Sequence, residues 1–151
     1  MFPSIADQIP ENIYTQRINQ DRELLMDVGI ASKSHEFQIV PALLDSRANT
    51  TFIDKAIAER LGLTLEALAN PIRVFNVDRS RNSAGDVTHA VNLTVDFLGH
   101  REELRTEVTN LGENSLILGY TWLKKHNPSI DWEKGSVKFN RCPRSCLMLQ
   151  D

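Results

Sequence analysis

The sequence has little of what usually holds a small protein together from outside its core. Only two cysteines occur, Cys142 and Cys146. A disulfide framework is therefore excluded, a bridge between such close positions is usually strained, and two thiols cannot close a zinc site alone. They read as free thiols in a reducing compartment, which makes the cytoplasm, or the nucleus, the expected location. No apolar run approaches the roughly 20 residues of a membrane-spanning helix. The opening "MFPSIADQIPENIY" has neither the basic start nor the apolar core of a secretory signal. Without such a signal, the sequons at Asn49 and Asn92 predict no glycan. No strong charge of either sign is present: 17 Lys and Arg stand against 20 Asp and Glu, a net −3, which argues against nucleic acid or a membrane surface as a partner. The four histidines, His35, His89, His100 and His126, lack metal-ligand spacing and are expected on the surface or on strand faces, so no metal is implied. No repeat recurs at a period of roughly 20 to 50 residues.

What is present is one domain's worth of chain. With 151 residues, 41% of them hydrophobic, a real core can be buried. Residues 1–21 are polar and read as a loose arm, residues 22–142 as the domain, and residues 143–151 as a tail. "ELLMDVGIA" and "HEFQIVPALLD" are apolar, partly alternating runs around "SKS", which predicts a hairpin. Pro41 within the second run predicts an edge or an irregularity. "TTFIDKAIAERLGL" predicts a short helix, with Thr51 and Asp54 as a capping box and Gly62 as its stop. Strands are expected over Ile72–Val77 and Val87–Phe97, the second with clean alternation. The polar "DRSRNSAG" between them should stand away from the core. "ELRTEVTNLGEN" predicts a further strand and turn, and "SLILGYTWLKKHNP" a strand, a glycine and a helix halted at Asn127–Pro128. "SIDWEKGSVKF" predicts a last hairpin. Trp122 and Trp132 are expected in the core, and Lys124 and Lys125 on the solvated end of a helix. The chain is thus mostly β, with two short helices. One pattern occurs twice: an apolar strand, a turn and a short helix, in "IVPALLDSRANTTFIDKAIAERLG" and again in "SLILGYTWLKKH". Only the first carries an acid.

That acid is Asp45. A carboxylate at the end of an apolar strand, before small polar residues, is read either as a structural cap of its own turn or as half of an acid pair. One ionised Asp held by loop N–H groups has little reactivity. Two carboxylates about 3 Å apart share a proton, and one can act as base on water while the other donates to a carbonyl. Since the chain offers one such loop, the second acid would come from a second copy about a two-fold axis. Ser46 reads as a bracing hydroxyl, because no His motif accompanies it.

Several segments in this order resemble one family, the retropepsin-like aspartic proteases, and within it the protease of gypsy-class long-terminal-repeat retrotransposons of fungi. "ALLDSRANTTFID" resembles the family's Asp-Ser/Thr-Gly-Ala loop, with Ser46, Arg47 and Ala48 following Asp45. "NVDRSRNSAGDVTH" resembles its flap, with Asn76, Val77, Asp78, Arg79 and Ser80 at the substrate side. "LILGYTWLKKHNPSIDWEKGSVKF" resembles its second strand-Gly-helix element, with Ile117, Leu118 and Gly119, and "RCPRSC" resembles the tail that follows. The resemblance implies a small closed β-barrel with a flap hairpin and short helices, one lobe per chain. It implies a homodimer in which each Asp45 is catalytic, an extended peptide or polyprotein substrate, and no cofactor. Two positions depart from the pattern: Arg47 stands where the family has Gly, and Arg79 replaces a flap glycine. Arg47 adds bulk where backbone comes close and sets a positive charge beside carboxylates that must keep one proton. Impaired activity is therefore expected, or a non-catalytic module that dimerises or binds peptide.

Overall fold

The computed structural model describes residues 13–15, 17–18, 23–73, 86–97 and 99–147. Among them the order of elements is β1 (Ile13–Thr15), β2 (Arg17–Ile18), β3 (Leu24–Ala31), β4 (Phe37–Leu44), β5 (Phe52–Asp54), α1 (Lys55–Arg60), β6 (Glu66–Ile72), β7 (Val87–Phe97), β8 (His100–Thr109), β9 (Leu116–Leu118), α2 (Tyr120–His126), β10 (Ser129–Asp131), β11 (Ser136–Lys138) and α3 (Arg144–Leu147). No helix among the described residues is long and apolar enough to cross a membrane.

Six strands close a barrel in the order β3, β4, β9, β5, β8, β7, with β7 returning to β3 through Gly29 opposite Asp96 and Ile30 opposite Val95. Closure leaves no free edge among these six strands. Alternation in the sequence decides which face points inward. Leu24, Met26, Val28 and Ile30 of β3, and Val91, Leu93, Val95 and Phe97 of β7, all point into the core. The β7–β8 hairpin is the longest pairing and runs in register from His89 opposite Val108 to Phe97 opposite His100. Outside the barrel, β1, β11 and β10 form a three-stranded sheet and β2 pairs with β3, so strand pairing reaches into the first 21 residues. The fold class is mostly β, a closed barrel, as the sequence predicts.

The β3–β4 hairpin, the bounds of β7, the β10–β11 hairpin and the stop of α2 follow the sequence reading. Asn127 ends α2 in the left-handed region at φ 44° before Pro128, and Gly62 at φ 73° ends α1. Pro41 sits where β4 changes partners. Residues Phe37–Pro41 pair only with β3, and β9 joins at Ala42, so the missing N–H of Pro41 falls outside the β9 ladder.

Four expectations need correction. The run from Thr51 is not one helix: Phe52–Asp54 is a strand between β8 and β9, and only Lys55–Arg60 is helical. Asp54 makes no side-chain cap. Its buried carboxylate accepts the Leu111 N–H at 2.9 Å instead and ties the strand to a distant loop. No strand is expected before Ile72, yet Glu66–Ile72 is β6, an edge strand paired with β7 that tolerates Asn70 and Pro71; residues 74–77 of the strand expected over Ile72–Val77 lie outside the described residues. Trp132 is not a core residue. It lies beyond the end of the short strand β10, in the turn to β11, and is 64% exposed, whereas Trp122 is buried as expected.

Phe97 is the centre of an aromatic knot, with Phe139, His100, Trp122 and His126 at centroid distances of 5.0, 5.3, 5.6 and 5.9 Å. Phe97→Ala leaves a cavity that these four rings cannot all close, and a loss of about 3–5 kcal/mol is expected in urea denaturation. A loss below about 1 kcal/mol would show that the knot does not hold the barrel's end.

Candidate active site

The loop after β4 is built by two parallel strands and one helix start. Ala42–Leu44 of β4 run parallel to Leu116–Leu118 of β9, and the ladder continues past the strand end where the Asp45 N–H donates to the Leu118 carbonyl at 3.1 Å. The loop then turns on itself. The Ala48 N–H donates to the Asp45 carbonyl at 3.2 Å, and the Arg47 N–H donates to Asp45 Oδ1 at 2.9 Å, the local side-chain bond that Asp favours in turns. Behind the loop, the Tyr120 N–H donates to the Ala48 carbonyl at 2.7 Å and the Thr121 N–H to the Asn49 carbonyl at 3.2 Å. The start of α2 thus satisfies its unpaired N–H groups with the loop's carbonyls.

This grip depends on Gly119. A Cβ there would run into the Thr50 carbonyl oxygen and lie 2.7 Å from the Ala48 carbonyl oxygen. Its backbone is extended, at φ −90° and ψ −169°, so the requirement is close approach rather than an unusual dihedral. Ile117, Leu118 and Gly119 therefore sit directly under the loop, with Leu118 and Gly119 buried. Ser46 and Arg47 are exposed and Ala48 is half-buried.

Asp45 presents a partly open carboxylate, its side chain 19% exposed. Arg47, 74% exposed, folds back with Nε 3.3 Å from Asp45 Oδ1. So exposed a pair contributes only about 0–1 kcal/mol; its weight is the charge it sets beside the acid. Arg47 has no positive φ, and within one chain its bulk is accommodated by pointing outward. The steric conflict expected from the missing glycine could arise only where another surface meets the loop. The flap residues Asn76, Val77, Asp78, Arg79 and Ser80 lie outside the described residues.

The histidine reading needs revision. His35 is exposed in the β3–β4 turn and His89 is half-buried, but His100 and His126 are fully buried. They gather with Cys142 and Cys146 beside the aromatic knot. His126 Nδ1 lies 3.3 Å from Cys142 Sγ and 3.7 Å from Cys146 Sγ, and His100 Nδ1 lies 3.5 Å from Cys142 Sγ. On its other side, His126 Nε2 is 2.9 Å from Glu102 Oε1, an ion-pair distance without the alignment of a hydrogen bond. Burial pushes the Glu102 carboxyl up, but His126, the Trp122 N–H and Lys125 together hold it below its usual range. A hydrogen bond with Cys142 pulls the Cys146 thiol down, and the same bond pushes Cys142 up. Lys125 is exposed, as expected, and its Nζ also lies 3.4 Å from Glu102 Oε2. The sequence hides this cluster, because its members lie on β8, at the end of α2 and in the C-terminal segment. The pair of cysteines in "RCPRSC" is its one local sign.

Comparison with known proteins gives a family and a fold. A family model described as the PEG10/RTL1 protease domain matches residues 41–146. Among solved structures, the retroviral protease-like domain of Ddi1 from Leishmania major is 21% identical, with a TM-score of 0.55 over 78% of this chain and 88% of that one. A retropepsin-like aspartic protease from Rickettsia conorii is 17% identical, with a TM-score of 0.55 over 83% of this chain and 86% of that one. EIAV protease, solved with the inhibitor HBY-793, is 18% identical, with a TM-score of 0.50 over 76% and 98%. At these identities the structural likeness shows the fold alone.

Gly119→Ala is expected to force the loop off the start of α2 and to cost about 3 kcal/mol in chemical denaturation, the upper range for an inserted methyl in a packed site. A change under about 0.5 kcal/mol would mean that the loop has room the distances deny.

Proposed function

We propose a function from one premise, that the chain belongs to the PEG10/RTL1 protease domain family: it is an aspartic endopeptidase of the retropepsin type, working as a homodimer with one Asp45 from each subunit. The carrying observation is a single part-exposed carboxylate at the end of a barrel strand, on a loop held from behind by Gly119 and the start of α2. One such group cannot share a proton. Two related by a dimer axis through the loops can, and the pair then takes a proton from water while giving one to the scissile carbonyl. The substrate is an extended peptide bound through its backbone as an added strand, with residues 76–80 closing over it as a flap. We assign it to the polyprotein of a gypsy-class long-terminal-repeat retroelement. The chemistry runs on the two carboxyl groups and water, without metal or organic cofactor, and the two free thiols suit work in the cytoplasm or nucleus.

Arg47 sets the level of this activity. Its guanidinium already contacts the Asp45 carboxylate in one subunit, and in a dimer two of them would neutralise the pair that has to retain a proton. This contact also favours a second reading, a retropepsin-fold module that dimerises or holds extended peptide without cutting.

Wild type, Arg47→Gly and Asp45→Asn are to be assayed on a peptide library from pH 3 to 7, with sedimentation of each. Dimers are expected for all three. Weak cleavage by wild type should rise at least about tenfold in kcat/KM with Arg47→Gly, the effect of roughly 1.4 kcal/mol on the barrier, and vanish with Asp45→Asn. Dimeric Arg47→Gly without cleavage would leave the binding module; cleavage that survives Asp45→Asn would rule out the acid dyad.

A further inference from the structure

We propose that Cys142, Cys146, His100 and His126 form a tetrahedral zinc site that fastens the C-terminal segment to the barrel.

The separations of the donor atoms carry it. Zn–S bonds near 2.3 Å and Zn–N bonds near 2.0–2.1 Å, at tetrahedral angles, place N and S ligands about 3.6 Å apart. Three of the four N···S pairs, all but His100 with Cys146, lie at 3.3, 3.5 and 3.7 Å. In both histidines it is Nδ1 that faces the sulfurs. His100 Nε2 is buried with no hydrogen-bond partner among the described residues. A proton on that nitrogen leaves the Nδ1 lone pair free for a metal.

The surroundings of His126 support the same reading. Metal-bound histidines usually turn their other ring nitrogen to a carboxylate, and His126 Nε2 lies 2.9 Å from Glu102 Oε1. Donor atoms of Glu102, His126 and Cys146 all fall within 4.8 Å of one another, so Glu102 is also a potential ligand. Its oxygens are engaged, however: Oε1 takes the Trp122 N–H at 2.7 Å and Oε2 lies 3.4 Å from Lys125. Glu102 is therefore assigned to position His126 rather than to bind the metal.

A packed core alone does not call for this arrangement. Polar and ionisable side chains are costly inside a barrel unless every donor and acceptor is satisfied, and apolar residues of the same volume often serve stability as well or better. Thiolate and imidazole ligands together select zinc among the common divalent ions. On binding, both thiol protons pass to solvent. The two thiolates cancel the ion's charge, and the neutral histidines add none, so the buried site carries no net charge. The ligands come from the start of β8, the end of α2 and both sides of Pro143, so one ion would join three segments.

The test uses the untagged full chain, purified with reductant, stripped by a chelator and titrated with cobalt(II) and then zinc(II). One equivalent of cobalt should give the intense d–d bands of tetrahedral geometry together with thiolate charge-transfer absorption, and zinc should displace it. Zinc should raise Tm by roughly 10 °C over the stripped protein. Cys142→Ser, at the half-exposed position, should weaken cobalt binding and lower the charge-transfer absorption per bound cobalt, since one thiolate of two remains. Glu102→Gln should keep the bands but weaken affinity by about 10- to 100-fold. The wild-type titration decides the matter even where a variant does not fold. The proposal is overturned if folded, reduced protein takes up no cobalt, if bound cobalt shows no thiolate band, or if a Cys142–Cys146 disulfide forms despite the reductant.

Discussion

The described structure turns on one close approach of backbone to backbone, that of Gly119 to the carbonyls of Ala48 and Thr50. Because no side chain intervenes, the first N–H groups of α2 reach the carbonyls of Ala48 and Asn49. Helix starts need acceptors, and here the acceptors are the loop that carries Asp45. Neither element can shift without giving up the hydrogen bonds that join them. Just before Gly119, β9 lies between β4 and β5, parallel to one and antiparallel to the other. The position of the acid and the seat of α2 behind it are thus one constraint.

The parts of this that can be read in the sequence are those set by local pattern. Alternation from Val87 to Phe97 gives β7 its bounds, and Asn127–Pro128 gives α2 its end, because each signal lies within the element it describes. Where distant residues decide, the local reading fails. Asp54 looks like a helix cap, yet its carboxylate is taken by the N–H of Leu111, 57 positions on, and the residues before it join a sheet. The run from Glu66 to Ile72 holds Asn70 and Pro71, which usually mark turns, but an edge strand leaves one side of its backbone unpaired and tolerates a proline there. His100 and His126 look scattered because the barrel brings them together with Cys142 and Cys146 only after β8 and α2 are in place. Asp45 and its loop were legible through family resemblance, while the separations that define the loop were not.

Arg47 is where the candidate site departs from its pattern, and the single chain shows why such a change can persist. The residue keeps an ordinary backbone conformation, sends its side chain outward and costs the barrel nothing visible. Selection on folding alone would not remove it. What it adds is a positive charge beside Asp45. In the proposed dimer, two carboxylates without arginines repel each other until a proton is shared. Two arginines relieve the same repulsion without the proton. In that proposed dimer the substitution would separate two properties that the ordinary site couples, assembly of the acid pair and its sharing of a proton. A site so altered could still assemble and hold an extended peptide while losing the proton that cutting needs.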